Sequence, residues 1–258
     1  MIGTPLIEID RVDSTNSYAE RALLNQELVE GTVIWAHAQT KGKGQNENAW
    51  LSEPGKNLTC TILLTPRFLP PEHQFMINKV ISLGCLDFVR SRLREAGDKL
   101  TEPSIKWPND IYLGSRKLGG ILITSRVMGP VLETLLAGIG ININQELFSP
   151  ELPNPVSLVQ ILGKRSDLKE SLTILCQCIS NRYEKLREGK ILTIENDYRA
   201  SLLGIGEWKN FSSRNEIIRG RISGVDEFGR LQIENIHSEF FTYNHREIEM
   251  LFEKEATP

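Results

Sequence analysis

The sequence of 258 residues predicts an α+β protein that ends in a small all-β unit. Patterns typical of strands and of helices alternate up to about residue 145, and helical patterns follow from 155 to 203. After residue 206 the pattern changes to short alternating strands separated by turn residues. We therefore predict one domain of residues 1–205 and a second of residues 206–258. The second is too small to form much of a core alone and should pack against the first.

The order of the elements follows from the spacing of apolar residues and from cap and turn residues. The first part is predicted to contain a strand at 6–12, a helix that starts after cap residues 13–16 and runs to about Leu28, a strand at 32–39, a polar loop at 40–56 and a strand at 57–65. The next part should contain a helix from Pro70 to Gly97, three or four strands between Ile105 and Asn144, and helices near 155–162, 167–188 and 191–203. The last strands should be separated by turns at 214–215, at 226–229 and around His237.

Charge and hydropathy exclude several classes of protein. With 33 acidic and 30 basic side chains the net charge is −3 at pH 7, so the chain has no overall excess of cations for binding DNA or RNA. No apolar run approaches the roughly 18–20 residues that cross a bilayer, and the N-terminus lacks the pattern of a secretion signal. These features predict a cytoplasmic protein. The 4 cysteines and 4 histidines are dispersed, so no sequence-local metal site is indicated.

Three short polar residues, Ser14, Thr15 and Asn16, stand where a predicted strand leads into a helix. Hydroxyl and amide side chains at a helix start commonly cap the helix, and this segment alone favours capping. The alternative is that these side chains present hydrogen-bond donors and acceptors to a small polar ligand.

A long glycine-rich loop runs from Gln39 to Trp50 between two predicted strands. Its glycines allow the backbone to approach a ligand, its lysines can contact phosphate oxygens, and a tryptophan can cover a planar or apolar group. The loop matches neither the Walker phosphate loop nor the G-x-G-x-x-G pattern, because Glu47 stands where the third glycine belongs. Long loops of this composition are more often functional than not, with a solvated surface loop as the alternative.

Two further segments combine turn residues, charges and glycines. Residues 105–111 contain Lys-Trp-Pro-Asn-Asp, and Lys117 then precedes two glycines and an apolar strand, so its ammonium group should lie at a sheet edge. A cation in that position can neutralise a carboxylate or a phosphate. Residues 137–144 alternate glycine, isoleucine and asparagine, which leaves one face of the strand bare or polar and makes room there for a ligand.

In this order and at these separations, the four segments resemble the motifs of the biotin-protein ligase family. The motifs are the Ser-Thr-Asn element, the glycine–basic–glycine loop that ends in tryptophan, Lys-Trp-Pro-Asn-Asp, Arg-Lys-Leu-Gly-Gly-Ile-Leu and Gly-Ile-Gly-Ile-Asn, and they span about residues 6–145. The resemblance implies a catalytic domain of mixed sheet and flanking helices, related to lipoate ligases, and a C-terminal β-barrel of the Src-homology-3 type. Many members of the family also carry an N-terminal winged helix that represses transcription. Because this sequence starts at the catalytic part, we expect no DNA binding.

The resemblance also implies a reaction. In the family, biotin and ATP, helped by Mg²⁺, form biotinyl-5'-adenylate and pyrophosphate, and the biotinyl group then passes to one lysine of a biotin carboxyl carrier protein or domain. Such a site must bring two anions into contact, so cations and backbone N–H groups have to offset their repulsion. It must also keep the adenylate from water until the lysine arrives. The resemblance thus implies a carrier protein as partner, no membrane, and a monomer or a homodimer.

By similarity to the family, each part of the ligand has candidate residues in this sequence. The candidates for binding biotin are Ser14, Thr15, Asn16, Gln39, Lys43, Gly44, Gln45, Trp50, Lys117, Gly119 and Gly120. The candidates for binding ATP are Lys43, Lys106, Asn109, Lys117 and Asn142, and those for catalysis are Lys117, Asp110 and Lys43. Asp110 is also the candidate for holding Mg²⁺ or for receiving the proton of the carrier's ammonium group.

The glycine-rich loop departs from the pattern of the family, which reads close to Gly-Arg-Gly-x-Arg-Gly. Here Lys43 replaces the first arginine, Asn46 the second, and Glu47 the last glycine. A lysine keeps the charge but lacks the planar fork that binds a carboxylate or a phosphate with two hydrogen bonds. We therefore expect this loop to retain the adenylate less tightly.

Two other functions stay open at the level of the sequence. A lipoate or octanoyl transferase would have the same fold, although Lys-Trp-Pro-Asn-Asp followed by Arg-Lys-Leu-Gly-Gly favours biotin. A non-catalytic module could bind only biotin or the carrier, but the presence of Lys106, Asn109, Asp110 and Lys117 argues against it.

Overall fold

A mixed β-sheet forms the centre of the first part of the molecule. The computed structural model describes residues 1–25, 28–45, 48–214 and 216–252. The strands of this sheet are β1 (Leu6–Val12), β2 (Val33–Gln39), β3 (Leu58–Leu64), β4 (Pro103–Lys106), β5 (Asp110–Leu113), β6 (Arg116–Met128) and β7 (Val131–Ile141). Their order is β1-β2-β3-β7-β6-β5-β4. β1 and β2 pair in parallel and the other neighbours pair antiparallel, which confirms the mixed sheet expected from the sequence.

Helices cover both faces of this sheet. They are α1 (Thr15–Leu24), α2 (Phe75–Glu95), α3 (Leu158–Leu162), α4 (Leu168–Arg187) and α5 (Ile191–Ala200), with a short 3-10 turn at Pro71–His73. α1 ends before the predicted Leu28, with Asn25 as its C-cap residue. Residues 26 and 27 lie outside the described residues. No helix in the described part of the chain is long and apolar enough to cross a membrane.

The central strands present different residues to the two faces, because successive side chains of a strand point in opposite directions. On one face, Ile34, Leu63 and Leu136 form a small buried cluster with Ala19 of α1. On the other face, the alternate residues of the same strands join the main core, to which α2, α4 and α5 also contribute. α1 contacts β2, β3 and β7, whereas α2 packs against α4 and α5. The sheet is therefore enclosed by one helix on one face and by a helical layer on the other.

A second, entirely antiparallel sheet follows the helices. Its strands are β8 (Trp208–Ser213), β9 (Glu216–Val225), β10 (Leu231–Asn235), β11 (Phe240–Tyr243) and β12 (Glu249–Met250), in the order β11-β10-β9-β8-β12. This agrees with the small barrel-like unit expected from the sequence. It contacts the first part through hydrogen bonds such as that from Arg199 Nε to the carbonyl oxygen of Ser223, 2.7 Å. The domain division at residue 205 stays a prediction. Residues 215 and 253–258 lie outside the described residues.

Candidate functional site

A cavity of about 540 Å³ lies at the N-terminal end of α1. It is enclosed by the start of that helix, the glycine-rich loop, the turn at 107–110, strands β6 and β7, and the segment after β11. Thirteen of the fifteen candidate residues line the cavity, with Trp107 beside them: Ser14, Thr15, Asn16, Gln39, Lys43, Gly44, Gln45, Trp50, Lys106, Asn109, Asp110, Lys117 and Gly120. The segments that are separate in the sequence therefore meet at one place.

The floor of the cavity is sheet without side chains. Gly140 of β7 pairs with Gly120 of β6, and Gly138 pairs with Leu122. A Cβ atom at Gly138 would collide with Oδ1 of Asn16, and one at Gly140 would collide with the ring of Trp50. The glycine alternation thus opens one face of the sheet, as the sequence predicts.

The start of α1 forms a polar wall of the cavity, and a side chain from strand β2 caps this end of the helix. Ser14 precedes the helix, but its side chain makes no capping hydrogen bond, so the capping interpretation is wrong for this residue. Instead, Oε1 of Gln39 on β2 accepts hydrogen bonds from the backbone N–H of Thr15 at 2.8 Å and from its hydroxyl at 3.2 Å. Ser14, Thr15 and Asn16 are nearly fully buried. Their polar groups therefore belong to the cavity wall and not to the solvent-exposed surface.

Thr61 on β3 supports this wall from below. Its buried hydroxyl lies within hydrogen-bonding distance of the hydroxyl of Thr15, 2.8 Å, and of Oδ1 of Asn16. The Asn16 amide also donates to the carbonyl oxygen of Leu122 at 3.3 Å. Thr61 is not among the site residues predicted from the sequence, because a threonine within an apolar strand is typical of ordinary strands. The only available signal was its alternation with Thr59.

The glycine-rich loop folds back over the cavity. The backbone N–H of Trp50 donates to the carbonyl oxygen of Gly42 at 2.9 Å, and that of Gly44 donates to Asn48 at 2.7 Å. The ring of Trp50 lies on the bare floor at Gly140, and its buried Nε1 has no hydrogen-bond partner among the described residues. Asn46 and Glu47, at which the loop departs from the family pattern, lie outside the described residues.

A lysine–aspartate pair stands at the edge of the floor. Nζ of Lys117 donates to Oδ2 of Asp110 at 2.7 Å, and the two side chains are 33% and 23% exposed. The β5–β6 pairing is irregular, since Ile111 pairs with Gly119 but Tyr112 pairs with Lys117. The extra residue, Leu118, shifts the alternation of β6 by one. As a result Lys117 lies on the same side of the strand as Gly120, and its ammonium group reaches the cavity.

Lys106 adds a second cation, from β4. Burial lowers the pKa of Lys106, and the carboxylates of Glu249 and Asp110 act in the opposite direction. Its Nζ lies 5.7 Å from the ring centroid of Tyr112 and 5.0 Å from that of Phe252, within the range of cation–π attraction. Lys43 is exposed on the glycine-rich loop at the cavity. Together the three lysines can neutralise more than one anionic group.

Two candidates lie outside the cavity lining in the described structure. Gly119 points away from the cavity, because it pairs with the core residue Ile141, whereas Gly120 pairs with Gly140 of the cavity floor. A Cβ at Gly119 would meet the backbone oxygen of Gly140. Asn142 follows the end of β7, and its Nδ2 donates to the carbonyl oxygen of Val156 at 3.0 Å. Its Oδ1 is buried without a partner among the described residues.

Residues of the C-terminal unit that contains the second sheet also line the cavity, and none of them is among the site residues predicted from the sequence. They are His245, Arg246, Ile248 and Glu249, from the segment between β11 and the start of β12. Burial lowers the pKa of His245, and Arg246 acts in the same direction. The sequence predicts that the small unit packs on the first, but no local pattern indicates which of its residues reach the site.

The described residues contain no cluster of three His, Cys, Asp or Glu side chains that could hold a metal ion. Asp110 and Glu249 nevertheless place two carboxylates in the cavity lining. Mg²⁺ is usually bound through one or two carboxylates together with substrate phosphates and water. The donor set therefore fits a magnesium ion that arrives with a nucleotide.

Comparison with known proteins assigns the chain to a family. The family model "Biotin/lipoate A/B protein ligase family" matches residues 8–142, slightly more than half of the chain. "Bifunctional ligase/repressor BirA" of Bacillus spizizenii is 28% identical over 237 residues, which cover 91% of this chain and 70% of that protein. "Biotin--[acetyl-CoA-carboxylase] ligase" of Paracoccus denitrificans is 27% identical, with 86% of this chain and 90% of that protein covered.

A solved structure shows the same fold over nearly the whole chain. "Biotin protein ligase from Aquifex aeolicus in complex with biotin and ATP" has a TM-score of 0.77 and 28% identity, and the match covers 95% of this chain and 98% of that one. The resemblance that the motifs indicate is thereby confirmed. The chain belongs to the biotin/lipoate A/B protein ligase family.

Proposed function

We propose that this protein is an ATP-dependent biotin-protein ligase, which forms biotinyl-5'-adenylate and then transfers the biotinyl group to a lysine of a carrier protein. The observation that carries the proposal is the Lys117–Asp110 pair beside a glycine-floored cavity that Lys43 and Lys106 also line. The similar protein from Aquifex aeolicus binds biotin and ATP. Both substrates are anionic at the atoms that must react, which suits this group of cations.

The end of the cavity next to α1 suits the neutral, bicyclic part of biotin. The hydroxyl and amide groups of Ser14, Thr15 and Asn16 can exchange hydrogen bonds with a ureido group, and Gln39 and Thr61 hold two of them in place. Because the floor has no side chain at Gly140, the Trp50 ring lies directly on it. That ring offers a flat ring system an apolar surface in the cavity.

The end of the cavity at β5 and β6 suits the anions. Lys117 would contact the biotin carboxylate and the α-phosphate, with Lys106 near the phosphates. Asp110 holds the Lys117 ammonium group at the sheet edge before substrate binds. A preorganised cation stabilises the charge that develops when a carboxylate oxygen attacks the α-phosphorus and pyrophosphate leaves. Asn109 stays a candidate for the nucleotide, whereas Asn142 would act by fixing the end of β7.

Asp110, with Glu249 in the same lining, would hold Mg²⁺. When bound there, the ion would neutralise phosphate charge.

The same residues suit the second step. The carboxylate of Asp110 can take the proton of the carrier's ammonium group, after which the amine attacks the carbonyl carbon of the adenylate and AMP leaves. The loop from Gln39 to Trp50 lies across the cavity and would limit the access of water to the mixed anhydride.

The finer features of the protein's partners are also part of the proposal. The acceptor is proposed to be a biotin carboxyl carrier protein or domain, and the ligase is proposed to act in the cytoplasm as a monomer or a homodimer. We further propose that this chain does not bind DNA, which its net charge of −3 supports. A gel-shift titration with duplex DNA tests this last point, and a salt-sensitive complex at micromolar protein would contradict it.

The proposed function is tested by biotin-dependent exchange of pyrophosphate into ATP. We expect exchange by the wild-type protein and a loss of about 10²–10³-fold in Lys117→Ala, because one preorganised charge is removed. Arg116→Ala is the matched control, since Arg116 is the exposed neighbour on the same strand and lies outside the cavity lining. Full activity of Lys117→Ala would contradict the assignment of Lys117.

The same assay separates the other functions considered. Exchange with lipoate but not with biotin would indicate a lipoate-type enzyme. Biotin binding without exchange would indicate a non-catalytic module.

A further inference from the structure

The turn at 107–110, which carries Asn109 and Asp110 into the cavity, is held from two sides. From the second sheet, the carbonyl oxygen of Gly229 accepts a hydrogen bond of 2.9 Å from Nε1 of Trp107. From the helical layer, the hydroxyl of Tyr198 donates to the carbonyl oxygen of Pro108 at 3.4 Å. Gly229 and Tyr198 are not part of the cavity lining. The turn is therefore fixed by groups outside the site.

Gly229 reaches Trp107 only because it has no side chain. Its φ of +86° lies in the left-handed region, and a Cβ atom there would collide with the ring of Phe75. The rest of its turn is fixed by Asp226, whose Oδ1 accepts hydrogen bonds of 3.0 and 2.9 Å from two backbone N–H groups. The Cα of Gly229 therefore packs against the ring of Phe75, and its carbonyl group is directed at the indole of Trp107.

Phe75 is itself part of a packed cluster. Its ring meets that of Tyr198 edge-on, with 6.0 Å between centroids. The ammonium group of Lys79 lies 5.6 Å from both ring centroids and donates to the two carboxylate oxygens of Glu195 at 2.7 and 2.6 Å. Lys79 is fully buried, so a shift of Phe75 would disturb a buried ion pair.

The position of the turn at 107–110 determines where Asp110 and Lys117 lie, through hydrogen bonds to strand β6. The carbonyl oxygen of Asn109 accepts a hydrogen bond of 3.0 Å from the N–H of Ile121, and its side-chain amide donates back to the carbonyl oxygen of Ile121. The next residue, Asp110, holds Lys117. A displaced turn would move the Asp110 carboxylate and loosen the attachment to β6.

We propose that Gly229 is a positioning residue for the active site. Gly229 packs against Phe75, and its carbonyl group holds Trp107 and thereby sets the place of Asp110 and Lys117. The second sheet thus takes part in adenylate formation without Gly229 touching the substrate, and this inference rests on the proposed function.

The test is the variant Gly229→Ala, with Gly97→Ala as its matched control. Gly97 has the same φ of +86°, but a Cβ atom there meets nothing within 4 Å. Both variants carry the same backbone strain, and only Gly229→Ala pushes on Phe75. We expect kcat of biotin-dependent exchange to fall about tenfold in Gly229→Ala while KM for biotin stays within about twofold. Gly97→Ala should keep both values within about twofold.

A second readout does not depend on activity. Hydrogen exchange of the Ile121 amide reports its bond to Asn109, and we expect about tenfold faster exchange in Gly229→Ala than in Gly97→Ala. The inference would be overturned if Gly229→Ala and Gly97→Ala had equal hydrogen-exchange rates at Ile121 or equal kcat values. A loss of protection spread over the whole first sheet in Gly229→Ala would also overturn it. If the wild-type protein shows no biotin-dependent exchange of pyrophosphate into ATP, the proposed function fails. Hydrogen exchange of the Ile121 amide then decides the inference alone.

Trp107→Phe decides the matter if Gly229→Ala does not fold. It keeps an aromatic ring beside His245 and removes the indole N–H donor together with part of the ring. The same fall in kcat and the same faster exchange at Ile121 are expected. Unchanged values of both would overturn the inference.

Discussion

The two faces of the seven-stranded sheet differ in what covers them. One face lies under α2, α4 and α5 in the main core, where its apolar residues are almost fully buried. The other face begins under α1 with a small apolar cluster and continues into the glycine-floored cavity. Neighbouring residues of a strand point to opposite faces. Alternate residues of the same strands therefore either stabilise the core or form the binding site.

This division explains how the sheet can leave part of one face bare. A fully buried aliphatic side chain contributes about 1.5–3 kcal/mol to stability, and the core face provides many of these. Glycines on the cavity face forgo that contribution but create a binding site that a side chain would fill. Substitutions at adjacent residues of β7 should therefore have effects of different kinds.

The largest effect on activity is expected for Gly140→Val. The new side chain would occupy the cavity floor and collide with the ring of Trp50. We expect kcat/KM for biotin to fall about 10³-fold, equivalent to about 4 kcal/mol, with a small change in thermal stability because the glycine-rich loop can move away. Activity close to wild type, measured by pyrophosphate exchange, would break the comparison between the faces.

The adjacent substitution Ile141→Ala should do the reverse. Ile141 is fully buried in the main core and is not part of the cavity lining. We expect the free energy of unfolding to fall by about 3 kcal/mol, because a cavity replaces buried methyl groups. Denaturant titration measures this loss, and exchange by the folded fraction should stay within about twofold. A loss of activity as large as that of Gly140→Val would show that the faces are not separable.

Thr61→Val sharpens the comparison within the cavity face. The hydroxyl of Thr61 supports Thr15 and Asn16, whereas that of Thr59, on the same strand, donates to the carbonyl oxygen of Ala36 at 2.7 Å. We expect Thr61→Val to raise KM for biotin about tenfold, because the polar groups of Thr15 and Asn16 lose their support. Thr59→Val should leave KM within about twofold. Isothermal titration with biotin checks the same order, and equal values for the two variants would contradict it.

The smallest effect is expected for Lys43→Arg. An arginine restores the planar fork on the loop that crosses the cavity, so release of free adenylate in a single turnover should slow about threefold. Lys41→Arg is the control, because Lys41 lies on the same loop but not in the cavity lining. Equal release rates for Lys43→Arg and the wild-type protein would contradict the expectation that this loop retains its adenylate weakly.

Local patterns predict the parts of the fold that depend on local chemistry. Strand β1 has the predicted bounds, Leu6–Val12, because a short alternating run ends at cap residues. The alternating glycines of β7 predict the bare floor, since the period of a strand is fixed at two. Strands β4–β7 and helices α3–α5 also lie in the predicted regions.

Features that depend on distant partners could not be predicted in the same way. Ser14 looks like a cap, but Gln39 supplies the hydrogen bond from β2. Gly119 looks equivalent to Gly120 until the pairing of β6 with β7 decides which of them faces the cavity. His245 comes from the second sheet, and no sequence spacing relates it to Asp110.

The most direct test of this account is biotin-dependent exchange of pyrophosphate into ATP, compared between the wild-type protein and the Lys117→Ala and Arg116→Ala variants. We expect exchange by the wild-type and Arg116→Ala proteins and a loss of about 10²–10³-fold in Lys117→Ala. Absence of exchange in the folded wild-type protein, or full exchange in Lys117→Ala, would contradict it.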